Sequence, residues 1–115
     1  MEKFPDFMKV EKNHIDNSQQ NTIDVDGYYY TAKDGSQMAF WTCYEDRESK
    51  EHCHDFDEYM VCLGGQYRVL MNGKEMILNP GDELFIPKGT VQSGSCKAGT
   101  RTIHAFGGQR IKQMP

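Results

Sequence analysis

The stretch HCHDFDEYMVCLGGQYRVLMNGKEMIL, residues 52–78, decides the fold. From Glu58 onward, apolar and aromatic runs alternate with turn dipeptides: Glu58–Leu63, then Gly64-Gly65, Tyr67–Met71, Asn72-Gly73 and Glu75–Leu78. Asn-Gly between the alternating Tyr67, Val69, Met71 and the following Met76, Leu78 is a tight-hairpin signal, because both central residues of such a turn take positive φ. Working outward, the same punctuation recurs at Asp34-Gly35, Pro80-Gly81 and Lys88-Gly89. It bounds further expected strands at Tyr28–Ala32, Met38–Tyr44, Glu83–Ile86 and Thr100–Phe106. No long stretch carries apolar residues at the i, i+3, i+4, i+7 spacing of a helix face. The pattern predicts an all-β chain, a sandwich or small barrel able to enclose one ligand.

At 115 residues the chain has room for one core. The barrel is expected over 25–110, after a polar leader or edge strand over 1–24 in which Asn17–Asn21 (NSQQN) reads as a loop, and before a short tail over 111–115. A net charge of −4 argues against nucleic acid as a partner. That acidity belongs to one segment: Glu45–Glu58 (EDRESKEHCHDFDE) carries seven acidic and two basic side chains, with two of the four histidines inside it. The apolar runs are far too short to span a membrane. The leader MEKFPDFMKVEKN has no apolar run of signal-peptide length, so a cytoplasmic protein is expected. The cysteines, Cys43, Cys53, Cys62 and Cys96, contain no CxxC pair, so reduced thiols are the expectation.

His52-Cys53-His54 with Glu58 is the constellation that carries chemistry. In an extended strand, residues two apart share a face at roughly 6–7 Å between Cα atoms, so two imidazoles can reach one metal ion at about 2.0–2.1 Å each. A reversal through Asp55, Phe56 and Asp57 brings the Glu58 carboxylate back to the same point. Two histidines and a carboxylate leave coordination positions open for water or substrate. A solvated, acid-flanked histidine pair that binds no metal is the alternative. By alternation Cys53 points away from the histidines, and Cys62 falls among inward apolar positions where thiols are inert. Tyr28-Tyr29-Tyr30 and Phe40-Trp41 are expected to pack the sheets, and His14, in the leader, has no assigned role.

HCHDFDEYMVCLGG resembles the first motif of the cupin superfamily: HxH, three residues, Glu, six residues, Gly65, with Asp46 where the motif's leading glycine stands. GDELFIPKGTVQSGSC, 81–96, resembles the second, with Gly81, Pro87 and Gly89 in place. Gln92 occupies the position of that motif's ligand histidine, and Cys96 a position where asparagine is common. The resemblance implies a small, single-domain, RmlC-like jelly-roll β-barrel with one divalent metal (Mn, Fe, Ni, Co or Zn) held by His52, His54 and Glu58. Gln92 is then a weak ligand, a holder of metal-bound water or a cavity-lining residue. His104 is the alternative fourth ligand or a general base, because Thr102, His104 and Phe106 share one face of their strand.

By that resemblance the chain is expected to be a metal-dependent enzyme of oxygenase, isomerase or decarboxylase type, acting on a small organic acid or related metabolite. Two alternatives stand beside it: a non-catalytic binding or sensing module, and a domain whose metal is purely structural. A homodimer is expected, since small cupins often pair and one barrel leaves edge strands needing cover.

Overall fold

The computed structural model describes residues 3–112. Nine strands form two sheets: β1 Asp26–Thr31, β2 Gln37–Thr42, β3 Arg47–Glu48, β4 Glu58–Gly64, β5 Tyr67–Met71, β6 Lys74–Leu78, β7 Glu83–Ile86, β8 Gln92–Cys96 and β9 Arg101–Phe106. One sheet runs β1-β2-β9-β4-β7 and the other β3-β8-β5-β6. Every pairing is antiparallel. The chain is an all-β jelly roll, and the hairpin read from Asn72-Gly73 joins β5 to β6 with both turn residues at positive φ. Among the described residues no helix is long and apolar enough to cross a membrane.

Alternation sorts each strand into an inward and an outward face. Along β4, Glu58, Met60 and Cys62 turn in and Tyr59 and Leu63 turn out. Met60 and Cys62, with Leu84 and Ile86 of β7, meet Val69 and Leu78 of the opposing sheet in the main apolar core. A second cluster, Ile15, Ala39, Phe106 and Ile111, joins segments before β1 and after β9 to the five-stranded sheet. A third, Phe4, Tyr28 and Phe40, brings the leader onto the outer face of that sheet.

Three details of the strands and thiols differ from the sequence reading. The segment expected to be a strand around His52 and His54 forms only an isolated bridge, His52 to Gln92. β8 and the two-residue β3, absent from the expected strands, complete the second sheet. The thiols are the third: Cys43 and Cys96 are joined by a disulfide, with Cα atoms 6.5 Å apart and a sequence separation of 53. Reduced thiols hold only for Cys53, exposed, and Cys62, buried. The ends of β2 and β8 are brought together across the two sheets, a proximity that no local spacing signals.

Within the leader, Asn17–Gln19 is a single 3-10 turn capped by the Asp16 side chain where a loop was read. Ile15, Phe4 and Ile111 are buried, so both flanking segments pack on the barrel. Of the tail at 111–115, residues 113–115 lie outside the described residues.

Candidate functional site

β4 and β9 lie side by side with Met60 opposite His104 and Glu58 opposite Phe106. Both Glu58 and His104 are buried and inward-facing. Nδ1 of His104 lies 2.8 Å from Glu58 Oε2, and its Nε2 lies 2.9 Å from the Thr102 hydroxyl. An ionised carboxylate only accepts, so His104 Nδ1 donates. Burial pushes the Glu58 carboxyl up, but the hydrogen bond and attraction of His104, reinforced by the Arg110 charge, outweigh it and hold the acid below its usual range.

His52 and His54 enter from the segment before β4. His52 exchanges two backbone hydrogen bonds of 2.8 Å with Gln92 at the start of β8, which anchors it to the second sheet. Its Nδ1 lies 2.9 Å from the Lys50 carbonyl. A carbonyl accepts only, so Nδ1 carries the proton and Nε2 keeps its lone pair. The two imidazoles converge with centroids 4.9 Å apart, and His54 stacks on Phe56. His54 Nε2 lies 3.7 Å from Glu58 Oε1. Burial holds both histidines below their usual pKa, His54 to about 4 with the Arg110 charge as a second cause. Gln92 donates from its amide to Glu58 Oε1 at 3.2 Å. The amide at the family's histidine position thus steadies the carboxylate that His104 holds from the other side.

These five side chains line one cavity of about 60 Å³, together with Trp41, Tyr67 and Arg110. Sequence reasoning assigned no site role to those last three. Trp41 lies across its register partner Gly27, where any Cβ would collide with the indole. The Tyr67 ring crosses Gly94, two residues along β8 from its own register partner Cys96. Each aromatic thus passes over a glycine on a neighbouring strand, where a side chain would collide with its ring. Burial, followed by the Glu58 charge, pushes the Tyr67 phenol up to about 12. Arg110 lies beyond the last strand, its guanidinium carbon 5.1 Å from the Trp41 ring and 5.2 Å from the Phe106 ring. The signal that could have found it is only its place four residues past an inward phenylalanine.

The donor types suit a divalent ion: two imidazoles held neutral, one with its tautomer set by a backbone carbonyl, and one ionised carboxylate. The same carboxylate already binds His104 and Gln92, and among the described residues no group of three or more His, Cys, Asp or Glu side chains is arranged to hold a metal ion.

A family model described as ethanolamine utilisation protein EutQ matches residues 2–105, nearly the whole chain. The chain belongs to the EutQ family. No curated protein is significantly similar to it in sequence. Among solved structures, a cupin superfamily protein from Desulfitobacterium hafniense superposes with a TM-score of 0.67 at 15% identity, over 73% of this chain and 77% of that one. A putative EutQ from Salmonella typhimurium aligns at 0.62 and 21% identity, over 71% of this chain and 68% of its own. The EutQ protein of Clostridium difficile aligns at 0.57 and 18%, over 84% and 77%. These likenesses show the cupin fold of this EutQ-family chain.

Proposed function

We propose that this EutQ-family cupin binds a divalent metal ion through His52, His54 and Glu58 and acts on a small organic acid or related metabolite in the barrel cavity. The observation that carries this reading is the convergence of the three donors on one cavity, with His52 tied to the Lys50 carbonyl so that Nε2 remains basic. His104 and Gln92 grip the two oxygens of Glu58 and keep the carboxylate ionised and oriented. His104, with both ring nitrogens engaged, serves the carboxylate instead of a fourth coordination position. A divalent ion (Mn, Fe, Ni, Co or Zn) bound there supplies Lewis-acid polarisation of a substrate oxygen, the common requirement of oxygenase, isomerase and decarboxylase chemistry. The family's description, ethanolamine utilisation, agrees with a small metabolite as ligand.

A second reading, a metal-free binding module, is favoured by the hydrogen bonds that already occupy both oxygens of Glu58. Metal analysis of protein purified without chelator separates the two. The expected result is a stoichiometric divalent ion in wild type and its loss in His52→Ala. Wild type without stoichiometric metal, or unchanged content in the variant, overturns the metal reading.

We also propose a homodimer. It is supported by a row of side chains in register across all five strands of the larger sheet: Tyr30, Met38, Ala105, Tyr59 and Phe85. All but the partly buried alanine are exposed. Contiguous apolar surface of this kind marks an interaction face, and sedimentation velocity at micromolar concentration checks it, a monomer overturning the expectation.

A further inference from the structure

We propose that residues 16–24 of the leader form a hinged plug that lifts as one piece to open the barrel cavity. The inference deepens the reading above and rests on it for the cavity as the place where a ligand sits. The cavity of about 60 Å³ has room for a couple of water molecules, far below the roughly 300–1,000 Å³ of a small-molecule pocket. A groove of about 270 Å³ lies beside it, and Gln20 and Asn21 of the plug line both spaces. Moving these two residues outward joins cavity and groove into a space of ligand size. Much of the remaining wall cannot yield so readily: Trp41, Glu58, Tyr67, Thr102 and His104 belong to strands paired on both sides. The part of the wall free to move is the part outside the sheets.

The plug is fastened by apolar burial at its two ends and by polar bonds along its length. Ile15, just before it, is buried with Ala39, Phe106 and Ile111, and Val25, just after it, with Cys43 and Cys96. Among the described residues 16–24, Gln20 alone is buried, and Ile23 is exposed. Lifting such a segment between fixed ends uncovers little apolar surface of its own, the condition for local opening without unfolding of the barrel. Asn17 is the internal knot. Its Oδ1 accepts from the Gln20 amide at 2.7 Å and from the Asp24 N–H at 3.0 Å, while its Nδ2 donates to Asp24 Oδ1 at 3.1 Å. These bonds hold the plug together as it moves. Asp24, beside the Val25 anchor, has φ 61°, a left-handed conformation uncommon outside glycine, and marks the hinge. The seat on the barrel is polar: the Trp41 indole N–H donates to Gln20 Oε1 at 3.0 Å, and the Lys50 N–H donates to the Asn21 carbonyl at 3.1 Å. The Gln19 amide donates to the Lys112 carbonyl. Water replaces such bonds at small net loss once the plug lifts.

Trp41 is the one tryptophan of the sequence, so acrylamide quenching of its fluorescence reads the seat directly. Amide hydrogen exchange and the rate of cobalt(II) uptake by metal-stripped protein complete the test. The proteins compared are wild type, Asn17→Ala, Asn21→Cys and the double variant Asn21→Cys with Lys50→Cys, oxidised to cross-link the plug to its seat. In wild type the Asp24 and Lys50 amides are expected to exchange at least about tenfold faster than those of β4 and β9. Asn17→Ala changes a side chain outside the cavity lining and should raise both quenching and cobalt uptake about threefold or more. The cross-linked variant should take up cobalt at least about tenfold more slowly than Asn21→Cys. Exchange of the plug amides together with the strand amides in one global opening overturns the proposal. So does a cross-linked variant that matches Asn21→Cys in uptake and quenching. If the cross-link does not form, Asn17→Ala decides, and wild-type quenching in that variant overturns the proposal. The metal reading fails separately: absence of cobalt uptake in every protein removes the metal, while exchange and quenching still judge the plug.

Discussion

The barrel interior has two halves that share strand β4 and obey opposite rules. On the β7, β5 and β6 side, Met60, Cys62, Leu84, Ile86, Val69 and Leu78 fill the space with apolar atoms. On the β9, β2 and β8 side, the same inward alternation delivers Glu58, His104, Thr102 and Gln92. The first half gains from burial alone, at about 25 cal/mol per Å² of apolar surface. The second buries groups that would oppose folding unless each found a partner, and its partners are other site residues: His104 and Gln92 on Glu58, Thr102 on His104.

The largest effect is expected from breaking the apolar half. Ile86→Ala removes a side chain 1% exposed and should cost about 2–5 kcal/mol by denaturant unfolding, while the folded fraction keeps its ligand affinity. Loss of affinity in proportion to stability would show that the halves are not separable. Glu58→Ala is expected to cost less, about 1–3 kcal/mol, for the donors left without an acceptor, yet it should abolish metal retention. Glu58→Gln keeps the shape and should recover part of the stability without the metal, as unfolding curves and metal content read together would show.

The smallest effect is expected from pH over the first unit below neutrality. His54 in the folded metal-free protein titrates at about 4, against about 6.5 for an unfolded histidine. Between these values the unfolded chain binds a proton that the folded chain refuses, so stability falls as pH is lowered from about 6.5 toward 4. Thermal unfolding from pH 7 to 4.5 should show that decline, flattened in His54→Gln; a variant with the wild-type slope would remove His54 as its cause.

Much of both halves was legible because strand alternation is a local property. The period of two put Met60 and Cys62 on the face of Glu58, and Phe106 with Thr102 on that of His104, before any tertiary contact was known. Gln92 was legible as a position but not as a role, since its amide's work depends on β8 pairing with His52. β8 itself, QSGSC, has little intrinsic strand preference and is a strand because β5 pairs with it. Arg110 follows no periodicity, because it lies after the last strand and gains its meaning from the rings beneath it.

The sequence by itself determined the class of fold, the hairpin at Asn72-Gly73 and the inward set on each strand, since turn chemistry and pleat are encoded within a few residues. Only the tertiary structure decided that His104 meets Glu58 across 46 positions, that Cys43 joins Cys96 across 53, and that Arg110 reaches the cavity wall beside the Trp41 and Phe106 rings. Contacts at such separations are set by sheet order and packing, which the whole chain determines at once and no local spacing records.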